Sequence, residues 1–371
     1  MATPLLICDD SNMARKQVAR SLPDEWDVDI SFASNGLEAI AAIKEGKGDV
    51  LLLDLNMPEM DGYQVLESIM KQDLPTMVIV ISGDIQPEAH QRVTSLGALD
   101  FIKKPINKEK LTEILLAYGI FTSEELAPNS VSENSSPAQM QSNVSEVKVE
   151  LAPMKKPVKL ADEVKRRTSQ VPLSLDQDLR DCYQEIANVA MGQAGNLLAR
   201  LLDVFVVLPI PNVNLIEVSE LSMALSAIEA HESTSGICQG FIGAGISGEA
   251  LLIVNDSSFQ DVATLMNYEY EVDESTELEL LMDMANVLIG ACLNGISTQL
   301  DMSFSQGHPV VLGQHRKISE LIATNSTKWQ RTLAIEISYS IENLPIKCDL
   351  LLLFTEDSID TLNNKITYLL E

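Results

Sequence analysis

The chain has 371 residues, enough for two or three domains on size alone. Its formal net charge of −28 accompanies an ordinary apolar content of 46%. Nucleic acid and anionic membranes are therefore poor partners by simple repulsion, and a DNA-binding output is not expected. Five cysteines, at 8, 182, 238, 292 and 348, never adopt C-x-x-C spacing. That argues against a disulfide scaffold or a thiolate zinc site and fits a reduced cytoplasmic setting. The N-terminus lacks a signal-peptide pattern. No membrane span is expected: no stretch is read as reaching about 18 uncharged apolar residues, and the longest apolar segment is placed at Leu197–Pro211, broken by Arg200 and Asp203.

Residues 1–121 alternate strand and helix patterns. Leu5–Cys8 is a short apolar run before Asp9 and Asp10, and Asp10-Ser11-Asn12 caps the helix that follows. A weaker strand lies near Val28–Phe32, and a helix runs from Gly36 to Glu45. Asp49–Asp54 and Met77–Ser82 read as strands buried on both faces, and Asp100–Pro105 as a last short one. The pattern predicts a doubly wound five-stranded parallel sheet, an α/β fold with its chemistry at the carboxyl ends of the strands. Asp9, Asp10 and Asp54 would converge there. Three carboxylates without histidine or thiolate suit a hard cation such as Mg²⁺. Ser82 adds a hydroxyl and Lys104 a point charge, as an accepted phosphoryl group requires.

Asp9-Asp10, Asp54-x-Asn56-Met57-Pro58-x-Met60-Asp61-Gly62, Ser82-Gly83 and Lys104-Pro105 resemble the receiver domain of response regulators over about residues 3–120. The resemblance implies that Asp54 accepts phosphate from a histidine kinase. It also implies that Asp9, Asp10 and Asp54 hold Mg²⁺ with the Asn56 backbone carbonyl, and that Ser82 and Lys104 contact the phosphoryl group. Phe101 occupies the place of the family's switch aromatic.

Residues 122–176 read as a flexible linker. No Phe, Trp or Tyr occurs from Thr122 to Cys182, and prolines recur at 128, 137, 153, 157 and 172. Such a segment buries too little apolar surface to offset chain entropy. Its positive charge gathers in Lys155–Arg167, where a short helix is possible.

Residues 177–371 contain a repeat, with halves at about 177–270 and 271–371. Asp181, Glu185 and Asn188 recur as Glu279, Asp283 and Asn286, each set followed by a glycine (Gly192, Gly290) and by a proline 22 intervening residues after the asparagine (Pro211, Pro309). Each half reads as a long helix, strands and a shorter helix. Strands are predicted at Cys238–Ile242, Gly248–Val254, Thr332–Ser340 and Cys348–Phe354, with a turn at Glu342–Pro345. This predicts a pseudo-twofold α/β domain, its two long helices beside a largely antiparallel sheet. On a helix the acids, asparagine and glycine share one face. Cys182, Ile186, Ala190, Leu197 and Leu201 are assigned to the buried side, so the acid stripe is expected to face outward. The glycine's benefit would be close approach by a partner.

Glutamate and asparagine alone do not make a hydrolase. Beside a protein that already carries an acyl phosphate, however, glutamate can pair with a lysine and asparagine can orient a water. The spacing resembles the CheC/CheX/FliY family of chemotaxis phosphatases over about residues 178–371, with the two-motif layout of CheC. By that resemblance Glu185 engages the lysine of a phosphorylated CheY-type receiver and Asn188 places the attacking water. In the second copy Asp283 is one methylene short of the usual Glu while Asn286 is kept, which leaves that copy's activity open. The expectation is a cytoplasmic response regulator, phosphorylated by a CheA-type histidine kinase, whose output hydrolyses an aspartyl phosphate in trans or in cis. The alternative is a phosphorylation-gated interaction module, binding a CheD-type deamidase or serving as a phosphate sink. The scattered His90, His231, His308 and His315 lack ligand spacing, and Gly243-Ala244-Gly245 reads as a hairpin turn rather than a nucleotide loop.

Overall fold

The computed structural model describes residues 2–122, 175–217, 233–268, 272–316 and 331–370. Most of the 122–176 linker, its Lys155–Arg167 stretch and His231 lie outside the described residues.

The N-terminal domain is a five-stranded parallel sheet of order β2-β1-β3-β4-β5. The strands are β1 (Thr3–Cys8), β2 (Val28–Ala33), β3 (Val50–Leu53), β4 (Met77–Ser82) and β5 (Asp100–Lys103). Every side chain of β3 is buried, as its continuous apolar run predicts for a central strand covered on both faces. Helices α2 (Gly36–Lys44), α3 (Gly62–Gln72) and α4 (Pro87–Ser95) cover one face through Ile40, Ile43, Val65, Leu66 and Val93. Helices α1 (Asn12–Arg20) and α5 (Lys108–Ala117) cover the other through Val18, Leu111, Ile114 and Leu115. Ser11 caps α1, its side chain accepting from the Ala14 N–H.

The second domain is built on an eight-stranded sheet whose path runs β10-β8-β9-β13-β12-β6, with β11 beside β8 and β7 beside β12. Its longer strands are β8 (Thr234–Gly243), β9 (Ile246–Asn255), β12 (Arg331–Ile341) and β13 (Lys347–Thr355), each including the segment expected from the sequence. The edge strands β6 (Val206–Val207), β7 (Asn212–Glu217), β10 (Ser305–Gln306) and β11 (Val310–Arg316) complete it. The pseudo-twofold relates β8–β9 to β12–β13, with β9 and β13 antiparallel at the centre. Two helices of 26 residues, α6 (Gln177–Leu202) and α8 (Glu274–Gln299), pack on the sheet together with α9 (Glu356–Leu370), while the short α7 (Phe259–Leu265) follows β9. The two long helices approach so closely that a Cβ on Gly295 would lie 2.8 Å from the Ala190 Cα.

Three expectations change. The buried stripe of α6 proceeds in steps of four through Ala190, Ala194, Leu198 and Leu202, so Leu197 rotates out to 45% exposure and Leu201 is only half-buried. The longest uncharged apolar stretch lies in α8, not at Leu197–Pro211. α8 has the length and composition of a membrane-crossing helix, but its Leu280, Leu281, Leu288, Ile289 and Leu293 sit in the domain core. Thirdly, the acid stripe of α6 faces away from its own domain but is not open to solvent: Glu185 and Asn188 are 7% and 5% exposed, because the N-terminal domain covers them. The Gly243–Gly245 stretch is the β8–β9 hairpin turn, with Ala244 and Gly245 at φ +49° and +82°.

Candidate functional site

Parallel register brings the ends of β1, β3, β4 and β5 to one edge, which places Asp9, Asp54, Ser82 and Lys104 together. The Ser11 N–H donates to Asp9 Oδ1 at 2.9 Å, and the Asn56 N–H donates to Asp54 Oδ2 at 3.0 Å. These bonds leave the other oxygens aimed at Lys104, whose Nζ lies 2.8 Å from Asp9 Oδ2 and 3.3 Å from Asp54 Oδ1. One oxygen from each of Asp9, Asp10 and Asp54 falls within 4.8 Å of the others. Asp54 Oδ1 is buried and accepts no hydrogen bond. Ser82 is buried at the end of β4, its Oγ accepting from the Asp84 N–H at 3.1 Å. Phe101 is half-buried and meets His90 edge-on, ring centroids 5.6 Å apart.

Helix α6 closes this cluster from above. Glu185 Oε1 lies 3.1 Å from Lys104 Nζ. Asn188 Oδ1 accepts from Asn56 Nδ2 at 3.4 Å. Asp181 Oδ2 accepts from the Met13 N–H at 2.8 Å, an acid on one of the free donors at the start of α1. Pro211, far along the chain, lines a small cleft with Asp10, Asn56, Glu185 and Asn188 that leaves about 10 Å³ for the centre of a water molecule. A cavity of about 220 Å³ borders Lys104 and Glu185, lined also by Gln17, Ile106 and Gln299. The close approach is set by two glycines: a Cβ on Gly192 would lie 1.9 Å from the Gly83 carbonyl oxygen.

The charges are unbalanced. Burial raises Asp54 well above the ordinary carboxylate range, in spite of Lys104. Burial, helped by Asp9, pushes Asp10 up to about 7. Burial also raises Glu185, opposed by Lys104. For Lys104, burial works against the ammonium, but Asp54, Asp9 and Glu185 outweigh it and hold the pKa well above the ordinary lysine value. Three carboxylates thus pair with one ammonium, and a fourth, Asp10, stands beside them.

The structure therefore unites Asp9, Asp10, Asp54, Asn56, Ser82 and Lys104 with Glu185 and Asn188. It does not do so for the second copy. Asn286 and Glu279 are exposed, Asp283 is half-buried, and a Cβ on Gly290 would meet nothing within 4 Å. Three further residues at the domain contact carry no sequence signal. Gln86 bonds the Val206 backbone at β6, and Arg92 pairs with Glu342 in the β12–β13 turn. Each lies more than a hundred residues from its partner.

Fold and acidic cluster define a class, the response regulators. Residues 5–116 match the response regulator receiver domain family. CheY of Listeria monocytogenes is 37% identical over 111 residues, 30% of this chain and 93% of that protein. The chain belongs to the response regulator family through this receiver domain. Protein-glutamate methylesterase/protein-glutamine glutaminase 3 of Geobacter sulfurreducens is 38% identical over 112 residues, 29% of this chain. Only 30% of that relative's length is spanned, so the likeness is confined to the receiver. Thermotoga maritima FliY aligns with 52% of this chain and 98% of its own at 17% identity and a TM-score of 0.38. Receiver domains of this family bind Mg²⁺ at an acidic aspartate cluster and take phosphate from kinases, and this chain has such a cluster.

Gly192→Ala tests the helix–receiver contact. The added methyl has no room against Gly83, so the two domains should separate, read as a larger radius of gyration in small-angle X-ray scattering. Gly290→Ala, at the matching place in the open half, should leave the scattering unchanged. Identical curves for Gly192→Ala and wild type would contradict the contact.

Proposed function

We propose that the second domain is an aspartyl-phosphate phosphatase acting in cis on Asp54 of its own receiver, through Glu185 and Asn188, and so limits the lifetime of the signal. One observation carries this reading: Asp54 and Glu185 flank the same Lys104 ammonium, while Asn188 rests on Asn56, two residues past Asp54.

The reaction is hydrolysis of a mixed anhydride. A water oxygen bonds to phosphorus, the bond from phosphorus to the Asp54 oxygen breaks, and inorganic phosphate leaves with the Asp54 carboxylate restored. Lys104 and Ser82 would contact the phosphoryl oxygens, in keeping with the 3.3 Å from Lys104 Nζ to Asp54 Oδ1. Glu185 is a positioning residue that holds Lys104 from the side of α6. The Asn188 carboxamide borders the single-water cleft, where it can donate and accept to align the nucleophile. The 220 Å³ cavity beside Lys104 leaves space for phosphate to depart. Asp9, Asp10 and Asp54 fit a hard divalent cation: the donors are all oxygen, and one buried Asp54 oxygen lacks a hydrogen bond. Asp9, Asp10 and Asp54, with the Asn56 carbonyl by family resemblance, would hold Mg²⁺, which would supply charge neutralisation for the phosphoryl oxygens.

With Asp54 at 1% exposure, a phosphodonor histidine cannot reach it in the closed arrangement. Phosphorylation by a CheA-type kinase then belongs to an open arrangement and hydrolysis to the closed one. The composition of residues 122–176 suits a tether between the two. Exposure of Asn286 favours a second role for the other motif, on a separate CheY-type receiver.

The decay of phosphate on Asp54 in the full-length protein tests this. Asn188→Ala should slow it by about 100-fold, the usual cost of losing alignment of a reacting group, while Asn286→Ala leaves it unchanged. Equal decay in wild type and Asn188→Ala would leave only a phosphorylation-gated binding module, for a CheD-type or other partner. Metal binding adds a pH test. The Asp10 pKa is raised to about 7, so a proton competes with the cation below that pH and is absent above it. Calorimetry should find Mg²⁺ bound roughly tenfold more tightly at pH 8 than at pH 6. A pH-independent affinity would argue against Asp10 as a ligand.

A further inference from the structure

Two contacts hold the receiver on the α6 face of the second domain, and neither involves the motif. The first is an edge-strand mimic. Gln86 Nε2 donates to the Val206 carbonyl at 2.8 Å, and its Oε1 accepts from the Val206 N–H at 2.9 Å. Val206 pairs with Ile341 on its other side, so the Gln86 amide acts as one further residue of sheet. Gln86 stands at the N-cap of α4 yet makes no side-chain cap bond there. Asp84 Oδ1 accepts from Gln86 Nε2 at 3.0 Å and fixes which end of the amide donates. The second contact is an ion pair. Both terminal nitrogens of Arg92 reach the Glu342 carboxylate, Nη1 at 2.8 Å from Oε1, and the guanidinium lies 3.9 Å over the Phe205 ring. A forked, stacked arginine is geometrically selective in a way that a lysine or a single bond is not.

The pseudo-equivalent face lacks this equipment. Glu342 opens a five-residue loop, residues 342–346, between β12 and β13, where the β8–β9 hairpin turns through only Ala244 and Gly245. Register on the short edge strands, with outward side chains matched to outward ones, pairs Ser340, beside Val207, with Ile242, beside Ser305. Glu342 therefore corresponds to Ala244, in the β8–β9 turn. The second face carries no acid at that place.

We propose that Arg92 with Glu342 and Phe205, and Gln86 with Val206, are the specificity-determining contacts by which the α6 face takes this chain's own receiver, and that the α8 face, with no acid in the β8–β9 turn, does not. The inference builds on the reading of Glu185 and Asn188 as the hydrolytic pair. Docking, however, is measured independently of hydrolysis.

Amide exchange at Val206, protected by Gln86 only in the docked arrangement, reports binding, and Asp54-phosphate decay reports turnover. Both are read in the full-length protein. Arg92→Glu and Glu342→Arg should each speed Val206 exchange about fivefold or more, as expected for breaking a coupled charge pair. Phosphate decay should slow in step. The double variant should recover most of both, which a merely structural role for either residue would not give. Val206 protection unchanged in both single variants would overturn the proposal. So would a double variant no better than the worse single one, or protection that moves to Ser305–Gln306. Asn188→Ala separates the two readings, since it should slow decay and keep Val206 protected. If its decay stayed at the wild-type rate while the charge-swap pattern held, hydrolysis at this motif would fall and the recognition contacts would stand.

Discussion

One lysine organises this molecule. Lys104, 4% exposed, is the ammonium on which Asp9 and Asp54 of the receiver and Glu185 of the second domain converge. Buried charge is tolerated only when paired, and removing one member of such a set typically costs about 3–5 kcal/mol. The cluster therefore ties the two domains by electrostatic necessity. It does not lock them. Separation returns Lys104 and Glu185 to water, and that hydration offsets much of the lost Coulomb attraction. Receiver domains take phosphate from kinases, and a contact able to open would suit the proposed alternation between phosphorylation and hydrolysis.

The duplication supplies the rest of the arrangement. Two helices of equal length, packed on one sheet by a pseudo-twofold, present the same acid, asparagine and glycine pattern on two faces. Only one is occupied. Gly192 lets the Gly83 backbone approach, while Gly290 faces open space. The hairpins beside the motifs differ in length, two residues between β8 and β9 against five between β12 and β13. On the proposed reading recognition would be separate from chemistry: α6 and α8 keep related polar stripes, and the turns beside them would select the protein that docks.

Much of this was legible in the residues. Continuous apolar runs ending in Asp9, Asp54, Ser82 and Lys104 specify a parallel sheet and its active edge, because strand ends are where such a sheet gathers polar groups. The repeat in α6 and α8 was legible because helical spacing and a distant proline recur together. Leu197 was misplaced because the buried stripe of α6 runs in steps of four from Ala190 to Leu202, not in the step of seven that reaches Leu197. Contact of Glu185 with a receiver lysine was expected, in trans or in cis, but the choice between them and the burial of Glu185 and Asn188 were not legible. Nor were Gln86–Val206 and Arg92–Glu342, whose partners are local in space and remote in sequence. Gly192 came nearest to announcing the contact: a glycine inside a long helix costs about 1 kcal/mol against alanine, which points to a close approach without naming the neighbour.

The central claim is that the receiver is dephosphorylated by the domain it rests on within one chain. The most direct measurement is the rate of Asp54-phosphate loss as a function of protein concentration, over a range of about a hundredfold. An intramolecular reaction, with the tether fixing the effective concentration of the partner, is first order and gives one rate constant throughout. A rate constant that rises in proportion to protein concentration would mean that a second copy performs the hydrolysis, and would contradict the account.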